Sequence, residues 1–223
     1  MKLALFDLDH TLIPIDSDYE WGVFTTALGW NNADEFTRQN DAFYAQYRAG
    51  TINIHTYVRF ATTALCREGA IKSEAAHARF MQEVIQKAIQ PQALSLIQSH
   101  RDAGDAVVIV TATHEFVTRP IATALGVSDL IAINLVRDAD TGWFTGDILG
   151  TPSFREGKVA RVQDWLRERH LSWADIEVTF YSDSINDLPL LEAANHPVAT
   201  NPDPLLRTIA LQRGWRILEL FSQ

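Results

Sequence analysis

Apolar runs only three to six residues long recur along this chain, separated by amphipathic stretches of helix length. No other feature limits the fold as strongly. The runs are 3–6 (LALF), 107–110 (VVIV), 131–136 (IAINLV), 178–181 (VTFY) and, more weakly, 198–200 (VAT). A strand facing water on one side alternates apolar with polar residues, whereas short continuous runs suit strands covered on both faces. The stretches 91–103, 155–169 and 202–212 read as helices, the first opened by Pro91 in its first turn and closed at Gly104. Strands alternating with helices predict an α/β fold, a doubly wound, Rossmann-like parallel sheet.

The alternation breaks once. Residues 14–88 hold no convincing strand, only helical stretches near 18–29, 33–48, 53–67 and 73–88. SDYE, Ser17 to Glu20, matches a capping box that opens the first of them. In the second, Phe36, Phe43, Tyr44 and Tyr47 fall on one helical face. The expectation is a small all-helical cap, 14–88, inserted after the first strand of a core formed by 1–13 and 89–223. A chain of 223 residues can bury the core that this requires.

Composition narrows the partners. A net charge of −9 argues against a nucleic-acid binder, which needs a basic face. Cys66 is the sole cysteine, so no internal disulfide can form and a reducing compartment fits; at the end of an apolar helix it is expected to be a small buried hydrophobe. The run 3–6 is too short for a signal peptide, and no stretch approaches the length of a membrane span. These features predict a cytoplasmic protein with no membrane or nucleic-acid partner. The seven histidines lack ligand spacing, so no zinc site is expected. Oligomeric state is left open.

The chemistry gathers where strands end. Asp7 follows the first run, Thr111 follows VVIV and Asp183 follows VTFYS, while Lys158 lies early in the helix before that last strand. In an open parallel sheet the carboxyl ends of strands line the ligand crevice, so segments far apart in sequence converge there. Carboxylates, a hydroxyl and one lysine suit phosphoryl transfer, in which catalysis is mostly positioning and charge stabilisation. A carboxylate can serve as nucleophile, carboxylates are hard ligands of the kind Mg²⁺ prefers, and an ammonium with a hydroxyl can hold phosphoryl oxygens.

DLDHT (7–11), TAT (111–113), Lys158 in EGKVARV and SDSINDLPLL (182–191) resemble, in order and spacing, the four motifs of haloacid-dehalogenase-type phosphatases. The helical insert resembles their small cap, and the subgroup most similar is the phosphoserine-phosphatase-like one. The resemblance implies that Asp7 is the nucleophile and that Asp9 protonates the leaving alkoxide and later activates water. It implies that Thr111 and Lys158 bind the phosphoryl group, and that Mg²⁺ is held by the side chains of Asp7 and Asp183 and the backbone carbonyl of Asp9. Asp187 would support the metal shell or the lysine. His10 stands at a position the family leaves variable and is given no catalytic role.

The partner so implied is a small phosphate ester. Asp16, nine residues after Asp7, matches the acid that binds the substrate amine in phosphoserine phosphatases. Their cap arginine, which clamps the substrate carboxylate, has no counterpart: Ala61 falls at that place and Arg59 two residues early, on another face of the helix. An amine without a carboxylate fits better. DLDHTLIPIDSDYEWG is similar to histidinol-phosphatases of this superfamily, and Trp21, Phe24, Phe43 or Tyr47 could stack on an imidazole, although cap core is the commoner use of such rings. Phosphoserine as substrate, transfer to another alcohol, and a receiver-like phospho-signalling module are the alternatives.

Overall fold

The computed structural model describes residues 1–221. Six parallel strands form one sheet: β1 (Lys2–Phe6), β2 (Ala106–His114), β3 (Asp129–Ile133), β6 (Glu177–Ser182), β7 (His196–Thr200) and β8 (Arg216–Leu218), in the order β3-β2-β1-β6-β7-β8. β1 lies between β2 and β6, so the chain winds outward in both directions from it. Side chains alternate across its two faces, as strand geometry requires. Ala4 and Phe6 join one core cluster with Ile97, Ile109 and Ile121, whereas Leu3 and Leu5 join another with Val162, Leu166 and Phe180. Helices α5 (Pro91–Asp102) and α6 (Glu115–Ala124) bring Ile97 and Ile121 to the first face, and α7 (Glu156–Glu168) brings Val162 and Leu166 to the second. The strand order reverses at β1, and ligand crevices open at such a point, outside the carboxyl ends of the strands.

Between β1 and α5 the chain is helical: α1 (Ser17–Ala27), α2 (Ala33–Arg48), α3 (Ile54–Phe80), a π-helical turn (Met81–Ile85) and α4 (Gln86–Ala88). Helical stretches were expected over 53–67 and 73–88; the observed helix changes direction at Gly69, whose φ of 77° breaks the helical backbone. The cap of α1 also differs from expectation. Asp16, not Ser17, is the N-cap; its Oδ1 accepts from the backbone N–H groups of Asp18 (3.1 Å) and Tyr19 (2.9 Å). A carboxylate one residue earlier reaches both amides, leaving the Ser17 hydroxyl buried without a partner.

The run 131–136 is not one strand. It divides at Asn134 into β3 on the sheet edge and β4 (Leu135–Arg137), which pairs antiparallel with β5 (Phe144–Ile148). β5 was not anticipated because only its inward residues are apolar, Thr145 and Asp147 being exposed. The hairpin covers α3: Val58, Leu65 and half-buried Cys66 pack with Ile133, Leu135 and Phe144. β8, three residues at the other edge, was also not anticipated. α8 (Leu188–Ala193) leads into β7, and α9 (Pro204–Arg213) connects β7 to β8. Among the described residues no helix is long and apolar enough to cross a membrane.

Trp21 of α1 joins the helical segment to the sheet. Its ring meets Phe24, Trp30, His77, Phe80 and Phe116 at centroid distances between 5.4 and 6.1 Å. His77, beside it, is buried, and its Nε2 lies 3.1 Å from the Val117 carbonyl, a contact that the tautomer protonated at Nε2 turns into a donated bond. Burial and the neighbouring His114 lower its pKa to about 4, offset in part by that bond. Between that value and the ordinary 6.5 the unfolded chain binds a proton here and the folded chain does not, so this site's stability is complete above pH 6.5 and lost as pH falls toward 4. The full loss amounts to about 3 kcal/mol. Because Asp7, Asp9 and Asp16 titrate in the opposite sense over the same range, the comparison with His77→Gln isolates this site. On going from pH 7 to pH 4.5 in chemical denaturation, the native protein's stability should change less favourably than the variant's, by up to about 3 kcal/mol.

Candidate active site

Asp7 is the residue at which β1 stops. Its N–H donates to the Tyr181 carbonyl at 2.9 Å, continuing the strand pairing, and its side chain emerges at the carboxyl edge of the sheet. Lys158 Nζ donates to Asp7 Oδ1 at 2.7 Å and to Asp187 Oδ2 at 2.6 Å, and the ammonium is fully buried. Ser182 adds a hydroxyl donor to Asp187 Oδ2 at 2.7 Å. Burial alone would lower the pKa of Lys158, but Asp187 and Asp7 outweigh it and hold the pKa above its ordinary value. Gly157 makes this placement possible: a Cβ there would stand 2.0 Å from the Pro152 carbonyl oxygen, so only glycine lets the first turn of α7 lie so close.

Asp9 is tied differently. Its Oδ1 accepts from the Ser17 N–H at 2.8 Å and its Oδ2 from the Thr113 hydroxyl at 2.9 Å, linking the start of α1 to the end of β2. Burial, with the Asp16 charge nearby, pushes its carboxyl up to about 7, against the pull of those donors. Asp7 is likewise raised to about 7 by burial, with Lys158 opposing. Asp183 is raised well above the ordinary range by burial and by the charge of Asp7. Thr11 stands between the two, its hydroxyl 3.5 Å from Asp7 Oδ2 and 3.3 Å from Asp183 Oδ1, and it accepts from the Asp183 N–H at 3.1 Å.

Asp7, Asp9, Thr111 and Asp183 line one crevice of about 610 Å³, counting its open mouth. Lys158 and Asp187 stand behind Asp7, as the ammonium's two bonds show. Thr111 is buried at the crevice floor, where its Oγ accepts from the Thr113 N–H at 3.1 Å. Asp16 also lines the crevice although it caps α1, and burial raises its carboxyl to about 7. Thr11 and Thr113 were not singled out from sequence, though both lie inside quoted motifs; their register in DLDHT and TAT was the available signal. Phe43 and Tyr47 line the crevice, as do Tyr19, Tyr44 and Tyr57, whereas Trp21 and Phe24 belong to the core cluster. Arg59 is exposed and pairs with Asp147 of β5 at 2.8 Å, away from the crevice.

The donor set at the strand ends is entirely oxygen, the kind that suits a hard cation. Among the described residues no three His, Cys, Asp or Glu side chains gather as ligands of one metal. Mg²⁺ ordinarily uses one or two carboxylates and fills its octahedron with water and other oxygens, and Asp7 and Asp183 flank Thr11 as such a pair. Four acids, buried Asp7 and Asp187 with half-buried Asp9 and Asp183, gather around one buried cation, Lys158, which pairs with the first two. The acids thus outnumber the cations, and a divalent cation would offset the excess.

Known proteins match this chain along most of its length. The family model for haloacid dehalogenase-like hydrolases matches residues 4–192. A histidinol-phosphatase of Neisseria meningitidis serogroup C (strain 8013) is 40% identical over 97% of this chain and 98% of its own. A crystal structure of a protein with unknown function from Bordetella pertussis Tohama I is 45% identical, superposes with a TM-score of 0.92 and covers 99% of both chains. A substrate-bound phosphoserine phosphatase shares the fold, with a TM-score of 0.68 at 18% identity over 98% of this chain and 92% of its own. The parallel sheet, the acids at its strand ends and the matched family model lead to one conclusion: the protein belongs to the haloacid dehalogenase-like hydrolases and is a phosphoric monoester hydrolase.

Proposed function

We propose that the protein is a Mg²⁺-dependent phosphatase of the cytoplasm that hydrolyses a small amine-bearing phosphate ester, histidinol phosphate being the substrate favoured. The observation that carries this reading is the lining of the crevice. Beside Asp7 and Asp9 it presents Asp16, the rings of Tyr19, Phe43, Tyr44, Tyr47 and Tyr57, and no lysine or arginine. An ammonium and an aromatic ring are at home among such walls, whereas a substrate carboxylate would meet like charge with no cation to clamp it. The Neisseria histidinol-phosphatase, similar over nearly the whole chain, supports the same substrate.

The chemistry follows from which partners each acid has. Asp7, held by Lys158, would attack phosphorus; its oxygen–phosphorus bond forms as the bond from phosphorus to the leaving oxygen breaks. Asp9 would give its proton to that oxygen, then take one from the water that cleaves the aspartyl-phosphate, releasing inorganic phosphate and restoring Asp7. Thr111 and Lys158 would bind the phosphoryl oxygens, and Asp187 would hold Lys158 in place. Mg²⁺, held by the side chains of Asp7 and Asp183 and the Asp9 carbonyl, would neutralise phosphoryl charge. Residues 14–88 would act as the cap that excludes water from the leaving group.

Three measurements test this. Phosphate release from histidinol phosphate should vanish in EDTA and return with Mg²⁺, and should be lost in a folded Asp7→Asn protein; persistence in either case overturns the reading. Asp9→Asn should lower kcat on alkyl phosphates by about 10² to 10⁴, the usual worth of general acid–base help. An aryl phosphate, whose leaving group scarcely needs a proton, should lose much less, and equal losses would remove Asp9 from that role. Asp16→Asn keeps an oxygen to cap α1 but deletes the charge. It should reduce kcat/KM for histidinol phosphate by about 10², the scale of a desolvated charge pair, while an amine-free ester is hardly affected.

A further inference from the structure

Two side chains lining the crevice, His10 and Asn40, each bury a nitrogen that has no hydrogen-bond partner, and of the two residues Asn40 is the more deeply buried. Asn40 lies on α2, on the same face as Phe36, Phe43, Tyr44 and Tyr47, and is only 4% exposed. It lines the crevice, and its Nδ2 has no hydrogen-bond partner. A buried amide donor without an acceptor is destabilising, so its retention calls for a partner that comes and goes. The amide is also held in place. α1 approaches α2 at Gly22, where a Cβ would stand 2.6 Å from the Phe36 ring and 3.5 Å from Asn40 Nδ2. The missing side chain lets the two helices close and seats Asn40 against α1 at Gly22, nearly two turns beyond Asp16.

The surroundings define the acceptor. It is not a carboxylate, because Asp16 shares the crevice and no cation lines it. The walls beside Asn40 are flat or apolar, from Phe43, Tyr44, Tyr57, Ile52 and Ile54. They suit a planar ring more than a flexible alcohol, with few polar groups left to fix orientation. We infer that Asn40 is a specificity-determining residue whose Nδ2 donates to the acceptor nitrogen of a neutral heteroaromatic ring on the leaving group. The inference rests on the substrate reading above and adds the residue that distinguishes a ring from other amine-bearing groups. In that division of labour Asp16 meets the amine, the tyrosines and Phe43 flank the ring, and Asn40 fixes its rotation.

The test compares two near-isosteric variants, Asn40→Asp and Asn40→Leu, with the native enzyme in Mg²⁺. KM and kcat are measured on histidinol phosphate and on phosphoethanolamine, which has the amine but no ring, together with inhibition by histidinol. Both variants should raise KM for histidinol phosphate and weaken histidinol inhibition by about tenfold, the cost of one hydrogen bond, with kcat much less changed. Phosphoethanolamine kinetics should stay within about twofold, and thermal unfolding reports whether each variant folds; Asn40→Asp preserves the shape if Asn40→Leu does not fold. Equal losses on both esters would make Asn40 structural and overturn the inference. Unchanged histidinol phosphate kinetics would mean that Nδ2 holds only a water, and tighter binding by Asn40→Asp would mean that the ring binds as a cation. Either overturns the donor role. A native enzyme that hydrolyses phosphoethanolamine but not histidinol phosphate would refute the substrate reading itself, a failure visible before any variant is made.

Discussion

Lys158 places its Nζ between Asp7 and Asp187, 2.7 and 2.6 Å away, where water does not reach. A buried ammonium without these partners would give up its proton, and buried carboxylates without the ammonium would take one up. The ammonium thus offsets part of the cost of burying the two carboxylates, and the arrangement joins β1, α7 and the loop after β6 at one point. The remaining order of the site leans on it. Asp7 is oriented by the lysine, Asp187 by the lysine and Ser182, and Asp183 is carried on the same short turn as Asp187. Gly157 is the backbone concession that lets α7 come near enough.

Around this pair the acids are separated by their donors. Asp9 faces a hydroxyl and a backbone N–H, with no ammonium among its hydrogen-bond partners, and burial leaves it raised to about 7. Asp7 and Asp9 are two residues apart in the chain, yet one is matched to a fixed cation and the other to neutral donors. Two carboxylates in unlike surroundings can take unlike tasks, which is the general route to acid and nucleophile in one crevice. The helical segment shares in this, because Ser17 at the start of α1 binds Asp9 and Asn186 of the core donates to the Tyr47 carbonyl at the end of α2 at 2.9 Å. The tyrosine-rich wall of the crevice thus rests on the same elements that hold Asp7 and Asp9.

The legible parts of the chain were those where local pattern and final environment agree. The runs at 3–6, 107–110 and 178–181 became β1, β2 and β6 because central strands of a parallel sheet need apolar residues on both faces. β5 and β8 lie at edges, where half the side chains meet water, and FTGDI or RIL carries too little apolar signal to be separated from loop. The run at 131–136 was divided because Asn134 leaves the sheet for the hairpin against α3, a choice set by residues more than sixty positions earlier. Ser17 lost the N-cap to Asp16 by one residue, since any short oxygen-bearing side chain there satisfies the same amides.

By itself the sequence determined the class of fold, the helical interruption after the first strand and the set of acids, hydroxyl and lysine at strand ends. These follow from periodicity and from motif spacing, which are properties of neighbouring residues. Only the tertiary structure decided that Thr11 lies between Asp7 and Asp183, that Thr113 binds Asp9, that Arg59 is spent on Asp147, and that Asn40 faces the crevice unpaired. Each is a contact between segments brought together by packing, or the absence of one. Which buried donor finds an acceptor depends on how helices close against one another, as α1 does on α2 at Gly22, and no local pattern records that distance.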